Sequence, residues 1–314
     1  MTNKSLKKLR IGTRGSKLAL VQVDMVSALL RQHRPDLHIE IIKILTSGDW
    51  KPADGETRLS ETEGGKGQFS KEIEQALLDG DIDCGVHSMK DMESFLPEGL
   101  ALDHMLPRED ARDAFLSNAY RNIRDMPSGA VIGTSSVRRQ AVILEKRPDL
   151  VLVPLRGNVP TRIEKLRSGK VDATLLALAG LRRLGLEHEI ASIIEIEDML
   201  PAAGQGAVGI QTRTGDLETR HLLNRIHCVT TGLCVKAERA ALAVLDGSCH
   251  TPIGAYATLA DDRMHLRVIV YSPDGKQKYE ESATRDVRNP EQAENLGHKI
   301  GRVLKKRVDP EIIR

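Results

Sequence analysis

The sequence predicts an α/β protein in which two larger α/β modules are followed by a small α+β unit. Short runs rich in β-branched residues alternate with stretches of helical spacing over the first two thirds of the chain, as in largely parallel sheets. Residues 221–314 depart from this alternation and group their strands together. A chain of 314 residues is also too long for one ordinary hydrophobic core, so we expect more than one domain.

The periodicity predicts the following elements in chain order. Strands are predicted at residues 9–13, 39–46, 84–86, 131–134, 151–154 and 173–177. Helices are predicted at residues 18–32, 71–78, 137–146 and 159–167. The chain is expected to pass from the first module to the second near residues 105–112 and to return near residues 200–206. The C-terminal unit is predicted as helix 230–245, strands 253–259, 264–271 and 278–284, and helix 290–307.

The composition excludes several classes of protein. The 46 basic and 44 acidic side chains nearly cancel, so the net charge of +2 creates no overall field that would attract nucleic acid. The basic start lacks the long apolar stretch of a secretory signal, and residues 175–181, the longest apolar run, are too few to span a bilayer. Four cysteines do not make a disulfide scaffold. We therefore expect a cytoplasmic monomer without a nucleic-acid or membrane partner.

Residues 47–67 interrupt the α/β pattern. The segment is polar, is rich in glycine and has no apolar face to bury. Long loops of this kind are either functional or disordered. We interpret it as a lid over a cleft, with a disordered insertion as the alternative.

Two predicted strand-to-helix turns carry side chains suited to anions. TRGS places Arg14 at a strand end and Ser16 at a helix N-cap. In GTSSVRRQ the pair Ser135 and Ser136 opens a helix whose first turn holds Arg138 and Arg139. Free N–H groups at a helix start favour anions, and a guanidinium adds bidentate recognition of carboxylate or phosphate. The alternative for any one turn is an ordinary capped helix with solvated arginines. Further arginines lie in the motifs LRGNVPTR (Arg156 and Arg162) and LRRLG (Arg182 and Arg183).

The motif HSMKD follows a predicted buried strand. It places Lys90 and Asp91 at the carboxyl end of that strand, where ligands of open α/β sheets bind. Asp91 alone could be a turn or cap residue. In a cleft lined by arginines its ionised form is favoured, so it could stabilise a cation that develops during a reaction.

Cys249 is the cysteine best suited to covalent chemistry. It lies in GSCHTPIG, a turn bounded by glycine and proline, where a thiol can be exposed and nucleophilic. Cys84, Cys228 and Cys234 are expected to fill core positions, and no spacing supports a zinc site. A cysteine hydrolase would need an oriented histidine base, which the adjacent His250 does not guarantee.

A series of motifs runs in one order through nearly the whole chain. They are IGTRGSKLAL, GGKGQF, KEIEQALL, HSMKD, REDARDAF, IGTSSVRRQ, LRGNVPTR, LALAGLRRLGL, GQGAVGI, AERA and GSCHTPIG. This series closely resembles the porphobilinogen deaminase family, also called hydroxymethylbilane synthases. Local departures are Thr62, Glu63 and Gln68 around GGKG and Ala111 in REDARDAF. None of these departures removes a residue to which the resemblance assigns chemistry.

The resemblance implies a fold and a cofactor. It implies two domains like those of type II periplasmic binding proteins, formed by residues 1–103 with 200–220 and by residues 104–199. Residues 221–314 would form the third domain. Dipyrromethane would be joined to Cys249 through a thioether and would prime the growing chain.

The resemblance also implies roles for individual residues. Asp91 would be the catalytic carboxylate. Contacts to the cofactor would come from Cys249, Lys90, Ser136, Arg138, Arg139 and Arg162. Substrate would be bound by Arg14, Ser16, Arg156 and Arg183. Residues beside the lid or cleft would be Lys66, Phe69, Gln205 and Gly206, and no metal is implied.

The implied reaction is the stepwise condensation of four porphobilinogens with loss of ammonia, followed by hydrolysis to hydroxymethylbilane. Positive charge would develop on pyrrole nitrogen, and each ring adds two carboxylates, which accounts for the many arginines. A two-domain protein that only captures anions is the alternative, since the same cleft would serve it.

Overall fold

The structure, a computed structural model, describes residues 6–48, 70–245 and 251–313. Within these ranges the chain forms two five-stranded sheets and one three-stranded sheet. The α/β prediction is confirmed. None of the helices in the described ranges combines the length and apolar character needed to cross a membrane.

The first lobe is built on a mixed sheet with the order β2-β1-β3-β10-β4. Its strands are β1 (Lys8–Arg14), β2 (His38–Ile44), β3 (Cys84–Ser88), β4 (Leu100–Met105) and β10 (Val208–Arg213). Its helices are α1 (Lys17–His33), α2 (Lys71–Leu78) and α6 (Leu217–Leu223). Apolar side chains of β1 and β3 pack on α1 and α6 to form the main core. β1 runs parallel to β2 and β3, whereas β10 is antiparallel to both of its neighbours.

The second lobe repeats this arrangement with the order β7-β6-β8-β5-β9. Its strands are β5 (Asp113–Ser117), β6 (Val131–Gly133), β7 (Val151–Val153), β8 (Ala173–Ala177) and β9 (Ser192–Ile194). Its helices are α3 (Val137–Lys146), α4 (Val159–Arg167) and α5 (Leu178–Arg183). In each lobe one strand follows the connection from the other lobe and pairs with the edge strand: β10 lies beside β4, and β5 lies beside β9. Each of these two strands is antiparallel to its neighbours. Two such lobes form a type II periplasmic-binding-protein-like fold, as the resemblance implied.

The crossing strands β5 and β10 are the main departure from the sequence prediction. The interpretation placed a changeover at residues 105–112 and a return at residues 200–206, but it predicted no strand immediately after either one. It also left out β4, β9, α5 and α6. A short apolar run such as DAFLS in β5 does not indicate its direction or its neighbours, because strand pairing is decided by tertiary contacts.

The C-terminal unit has the predicted order of one helix, three strands and one helix. These are α7 (Val229–Val244), β11 (Ile253–Ala260), β12 (Arg263–Tyr271), β13 (Lys278–Asp286) and α8 (Pro290–Lys305). The two helices pack on one face of the antiparallel sheet. They approach so closely that a Cβ on Gly297 would lie 2.2 Å from the carbonyl oxygen of Ala237. Glycine is therefore required at this contact.

The division into domains at residues 103/104, 199/200 and 220/221 stays a prediction. The sheet membership supports it to within a few residues, since β4 ends at Met105 and the core of the first lobe extends to Ile226.

Glu238 on α7 joins the C-terminal unit to both connections between the lobes. Its carboxylate is fully buried and pairs with Arg108, at 2.6 Å. It also accepts hydrogen bonds from the backbone N–H groups of Gly204, at 2.7 Å, and Ala257, at 2.8 Å. One side chain thus ties the outgoing connection, the return connection and β11 together.

Replacing Glu238 with Gln is expected to lower the free energy of unfolding by about 3–5 kcal/mol, because Arg108 would lose its buried counter-ion. Urea unfolding measures this loss. Glu294→Gln on α8 is the matched control, because its side chain is 44% exposed and pairs with Lys236 at the surface. That pair is expected to contribute less than about 1 kcal/mol. Equal losses in the two variants would contradict the role of Glu238.

Candidate active site

A small cavity lies at the carboxyl edge of the first sheet. β1 and β3 are parallel neighbours, and they end at Arg14 and Ser88. Between their ends is a cavity of about 60 Å³ whose lining includes Arg14, Ser16, Gln22, His87, Ser88 and Asp91. The structure therefore brings Arg14, Ser16 and Asp91 together, as expected for residues that follow parallel strands.

The start of α1 forms one wall of this cavity. Ser16 is the N-cap of α1, as predicted, and its hydroxyl accepts a hydrogen bond from the N–H of Ala19 at 3.2 Å. Gln22, one turn further along, donates to the Ser88 hydroxyl at 2.8 Å. The helix N-terminus and the nearby Arg14 guanidinium together favour an anion at this wall.

Asp91, which also lines the cavity, ends a short 3-10 helix, Met89–Asp91. Met89 and Met92 are buried, which anchors the turn, whereas Asp91 is exposed. The N–H of Met89 donates to the carbonyl of Ala207 at 3.1 Å. The Asp91 carboxylate has no hydrogen bond or ion pair from the residues that the structure describes, so its oxygens remain available to a ligand.

His87 also lines this cavity and is neutral. Burial lowers the pKa of this histidine to about 4, and the charges of Arg14 and Arg239 add to the change. At neutral pH His87 therefore adds no positive charge near Asp91.

Lys90, next to Asp91 in the chain, has a shifted pKa. Burial lowers its pKa to about 8, although the Asp91 carboxylate opposes this change. The charges of Arg139 and Arg162 lower the pKa further, while Asp113 raises it. Charged residues of the second lobe thus influence this first-lobe lysine.

Arg138 and Arg139 converge on Asp113, at the start of β5. Arg138 donates to one carboxylate oxygen of Asp113 and Arg139 to the other, each at 2.7 Å. Both guanidiniums also donate to backbone carbonyls, those of Leu200 and Leu175. The two arginines are each only 4% exposed, so they lie inside the second lobe and not on an open helix start. Ser136 is the N-cap of α3, as predicted.

The cluster around Asp113 has an excess of positive charge. Burial alone would raise the pKa of Asp113, but the charges and hydrogen bonds of Arg138 and Arg139 outweigh it and hold this pKa well below its usual range. Two guanidiniums therefore face one ionised carboxylate. The Nε of Arg138 is buried and has no hydrogen-bond partner among the described residues. An additional anion would be stabilised beside this cluster.

Gln205 and Gly206, on the return connection, hold the second lobe. The Gln205 amide donates to the carbonyl of Ala111 at 2.6 Å and to Asp113 at 3.1 Å. Gly206 has a φ of +88°, and a Cβ there would lie 2.3 Å from the carbonyl oxygen of Glu109. Arg183 donates to the Gly206 carbonyl at 2.7 Å. These contacts place Arg183 at the connection between the lobes.

The other predicted arginines lie along the second lobe. Arg156, after β7, is buried, and its backbone carbonyl accepts a hydrogen bond from Lys165 at 2.8 Å. Arg162 lies on α4, where its Nε donates to the carbonyl of Gly157 at 2.8 Å.

Cys249, Lys66, Phe69 and residues 49–67 of the predicted lid lie outside the described residues, so their predicted roles stay predictions. Two of the described thiols are poor nucleophiles, because burial raises the pKa of Cys84 and raises that of Cys234 to about 12. Cys228 does not line the cavity around Asp91. Within the described ranges, no three His, Cys, Asp or Glu side chains gather into a metal-binding group.

Asp113, Glu238 and Arg239 are functional candidates that the sequence interpretation missed. Asp113 begins an apolar strand, and Glu238 and Arg239 lie in the helical motif AERA. The sequence signal that could have identified them was a charged residue within an apolar run, because a charged residue that becomes buried needs a partner. The partners are distant in sequence, so the pattern did not identify them.

Together, these features define a two-lobed α/β protein with an exposed carboxylate, Asp91, in the first lobe and a cluster of buried arginines in the second. Residues 9–221 match the family model described as "Porphobilinogen deaminase, dipyromethane cofactor binding domain", and residues 232–306 match "Porphobilinogen deaminase, C-terminal domain". A porphobilinogen deaminase of Nitrobacter hamburgensis is 48% identical over 300 residues, which covers 95% of this chain and 93% of that protein. The chain belongs to the porphobilinogen deaminase family.

Solved structures of binding proteins show a more distant likeness. A putative methionine-binding lipoprotein from Bacillus subtilis has a TM-score of 0.44 at 13% identity and covers 72% of this chain and 92% of its own. A nutrient-binding protein from Burkholderia cenocepacia bound to methionine has a TM-score of 0.43 at 13% identity, with coverages of 73% and 93%.

Proposed function

We propose that the chain is a transferase that condenses four porphobilinogens in sequence on a dipyrromethane primer attached to Cys249 and then releases hydroxymethylbilane. Membership of the deaminase family supports this function. The observation that carries it is the exposed Asp91 carboxylate, which lines the same cavity as Arg14 and is adjacent in the chain to Lys90. We further propose a cytoplasmic monomer that acts without nucleic acid or membrane.

In each condensation the C–N bond of a porphobilinogen aminomethyl group breaks, and the nitrogen leaves as ammonia. A C–C bond forms to the free α-carbon of the terminal pyrrole, which then loses a proton. Asp91 would accept hydrogen bonds from the pyrrole N–H groups, stabilise the transient positive charge and assist the proton transfers. Its exposure and its lack of a protein partner in the described ranges leave both oxygens free for this role. After the fourth condensation, hydrolysis by water releases hydroxymethylbilane.

The cleft suits the carboxylates of a bound dipyrromethane. Lys90, Arg138, Arg139 and Arg162 carry four positive charges near the carboxylates of Asp91 and Asp113. The excess of cations fits a ligand that carries several carboxylates. So does the buried Nε of Arg138, which has no hydrogen-bond partner in the part of the chain that the structure describes. We propose these four side chains and Ser136 as cofactor contacts. When bound, the cofactor supplies the pyrrole α-carbon to which the first substrate is joined.

We propose Arg14, Ser16, Arg156 and Arg183 as contacts to substrate carboxylates, and Lys66, Phe69, Gln205 and Gly206 as residues beside the cleft. Arg14 and Ser16 are supported by their shared cavity with Asp91. Gln205 is supported by its bond to Asp113.

The mass of the intact protein tests the proposed function. The purified chain is expected to exceed the mass of its sequence by two linked pyrroles, and Cys249→Ser is expected to lack this excess and to have no activity. Cys228→Ser is the matched control and is expected to keep both the added mass and the conversion of porphobilinogen. An unmodified chain that is fully active would contradict the proposed primer. A chain that binds porphobilinogen without releasing ammonia would instead be the simple anion-binding protein.

A further inference from the structure

Arg239 connects the C-terminal unit to the segment that directly follows Asp91. It lies on α7, and its guanidinium donates to the backbone carbonyl of Met92, at 3.1 Å, and to that of Glu93. Two consecutive peptide oxygens are thus held by one side chain. The planar fork of arginine suits this pair of acceptors, whereas a lysine ammonium is a single point of contact.

A second residue of the same helix also packs on the turn that carries Asp91. Val235 precedes Arg239 by four residues, so the two side chains lie on one face of α7. Val235 is fully buried and packs with Met89 and Met92. The return connection also packs closely against Met89, since a Cβ on Gly204 would lie 2.7 Å from the Met89 Cβ. The turn that carries Asp91 is therefore held between α7 and the return connection.

We propose that Arg239 is a positioning residue for Asp91, a role that rests on the proposed function. It does not line the cavity that contains Asp91 and acts through the backbone at Met92 and Glu93. With both carbonyls held, the chain leaves the 3-10 helix in one direction, and the Asp91 carboxylate is directed into the cavity beside Arg14. The C-terminal unit would thereby contribute to catalysis at a second point besides Cys249.

The charge of Arg239 is consistent with this role. Burial lowers its pKa to about 10, and the carboxylates of Glu93 and Glu74 oppose the change. The guanidinium therefore remains charged at neutral pH, and charge-assisted hydrogen bonds to carbonyls are stronger than neutral ones.

Arg239→Met tests the proposal in the cofactor-bearing enzyme. We expect kcat to fall by roughly 10- to 100-fold with KM little changed, since a small misplacement of a catalytic group has an effect of this size. Arg239→Lys should recover part of the loss. Amide hydrogen exchange should become faster at residues 91–95 in Arg239→Met. Lys236→Met, one turn earlier on α7 and 40% exposed, is the control and should leave both readouts unchanged.

The decisive comparison uses Asp91→Asn as a second background. If Arg239 acts through Asp91, Arg239→Met should cause little further loss of kcat when Asp91 is already replaced. A full additive loss, or unchanged exchange at residues 91–95, would overturn the positioning role. If wild type and Lys236→Met convert porphobilinogen and Arg239→Met matches them, this inference alone fails. If the wild type does not release ammonia from porphobilinogen, the proposed function fails and this role with it.

Discussion

Asp91→Asn is expected to reduce kcat by about 10²–10⁴-fold, the range for loss of a positioned acid–base and charge-stabilising group. The amide keeps the size of the side chain and can still accept a hydrogen bond from a pyrrole N–H. It cannot neutralise a cation or take up a proton. Because the carboxylate contacts no described residue through a hydrogen bond or ion pair, the fold should be unaffected. Steady-state kinetics and the urea unfolding midpoint together measure this result.

The pattern of kinetic change distinguishes Asp91 from a binding residue. Loss of an interaction made only in the transition state lowers kcat and kcat/KM together, whereas loss of uniform binding raises KM alone. Asp103→Asn is the matched control, because Asp103 lies in the same lobe with its side chain 54% exposed and pairs with Arg220. A normal kcat for Asp91→Asn would remove the proposed mechanism.

Asp113→Asn is expected to lower the free energy of unfolding by about 3–5 kcal/mol, because it leaves the buried guanidiniums of Arg138 and Arg139 without their counter-ion. The Asp113 side chain is completely buried. An asparagine has one carbonyl oxygen for two donors, and its NH₂ group would face a guanidinium. Urea unfolding at neutral pH measures the difference. Asp149→Asn, whose side chain is 36% exposed and pairs with Arg147 at the surface, should lose less than about 1 kcal/mol.

The effect of Asp113 should depend on pH in a defined direction. Its pKa is depressed in the folded protein, so its contribution is complete above the unfolded pKa of about 3.9 and is lost as the pH falls toward the folded pKa. The difference between wild type and Asp113→Asn should therefore be constant near neutrality and shrink below about pH 4. A difference that stays constant into this acid range would show that the carboxylate charge is not the cause.

Much of the candidate site followed from local sequence. The N-cap serines Ser16 and Ser136 were predictable because a hydroxyl before a helical run satisfies backbone N–H groups a few residues away. Arg14 and Asp91 were expected at one edge because parallel strands end together. The N-caps depend only on a short segment of sequence, and the shared edge depends only on the direction of the strands.

The surroundings of Arg138 and Arg139 were not predictable in the same way. The sequence predicts these arginines in the first turn of a helix as part of an anion site, but the structure buries them against Asp113, 25 and 26 residues away. Their charge balance depends on β5 lying beside β8, a pairing between strands that are far apart in the chain. A single sequence does not specify that pairing.

The sequence by itself determined the α/β class, the order of most elements, the family and the residues that carry reactive groups, because these depend on periodicity and on motifs a few residues long. Only the tertiary structure decided that β5 and β10 cross between lobes and that Asp113 and Glu238 pair with buried arginines. It also decided that Arg239 donates hydrogen bonds to the segment after Asp91. These contacts join residues roughly 25 to 150 positions apart, and their energies come from burial and charge pairing that exist only once the chain has folded.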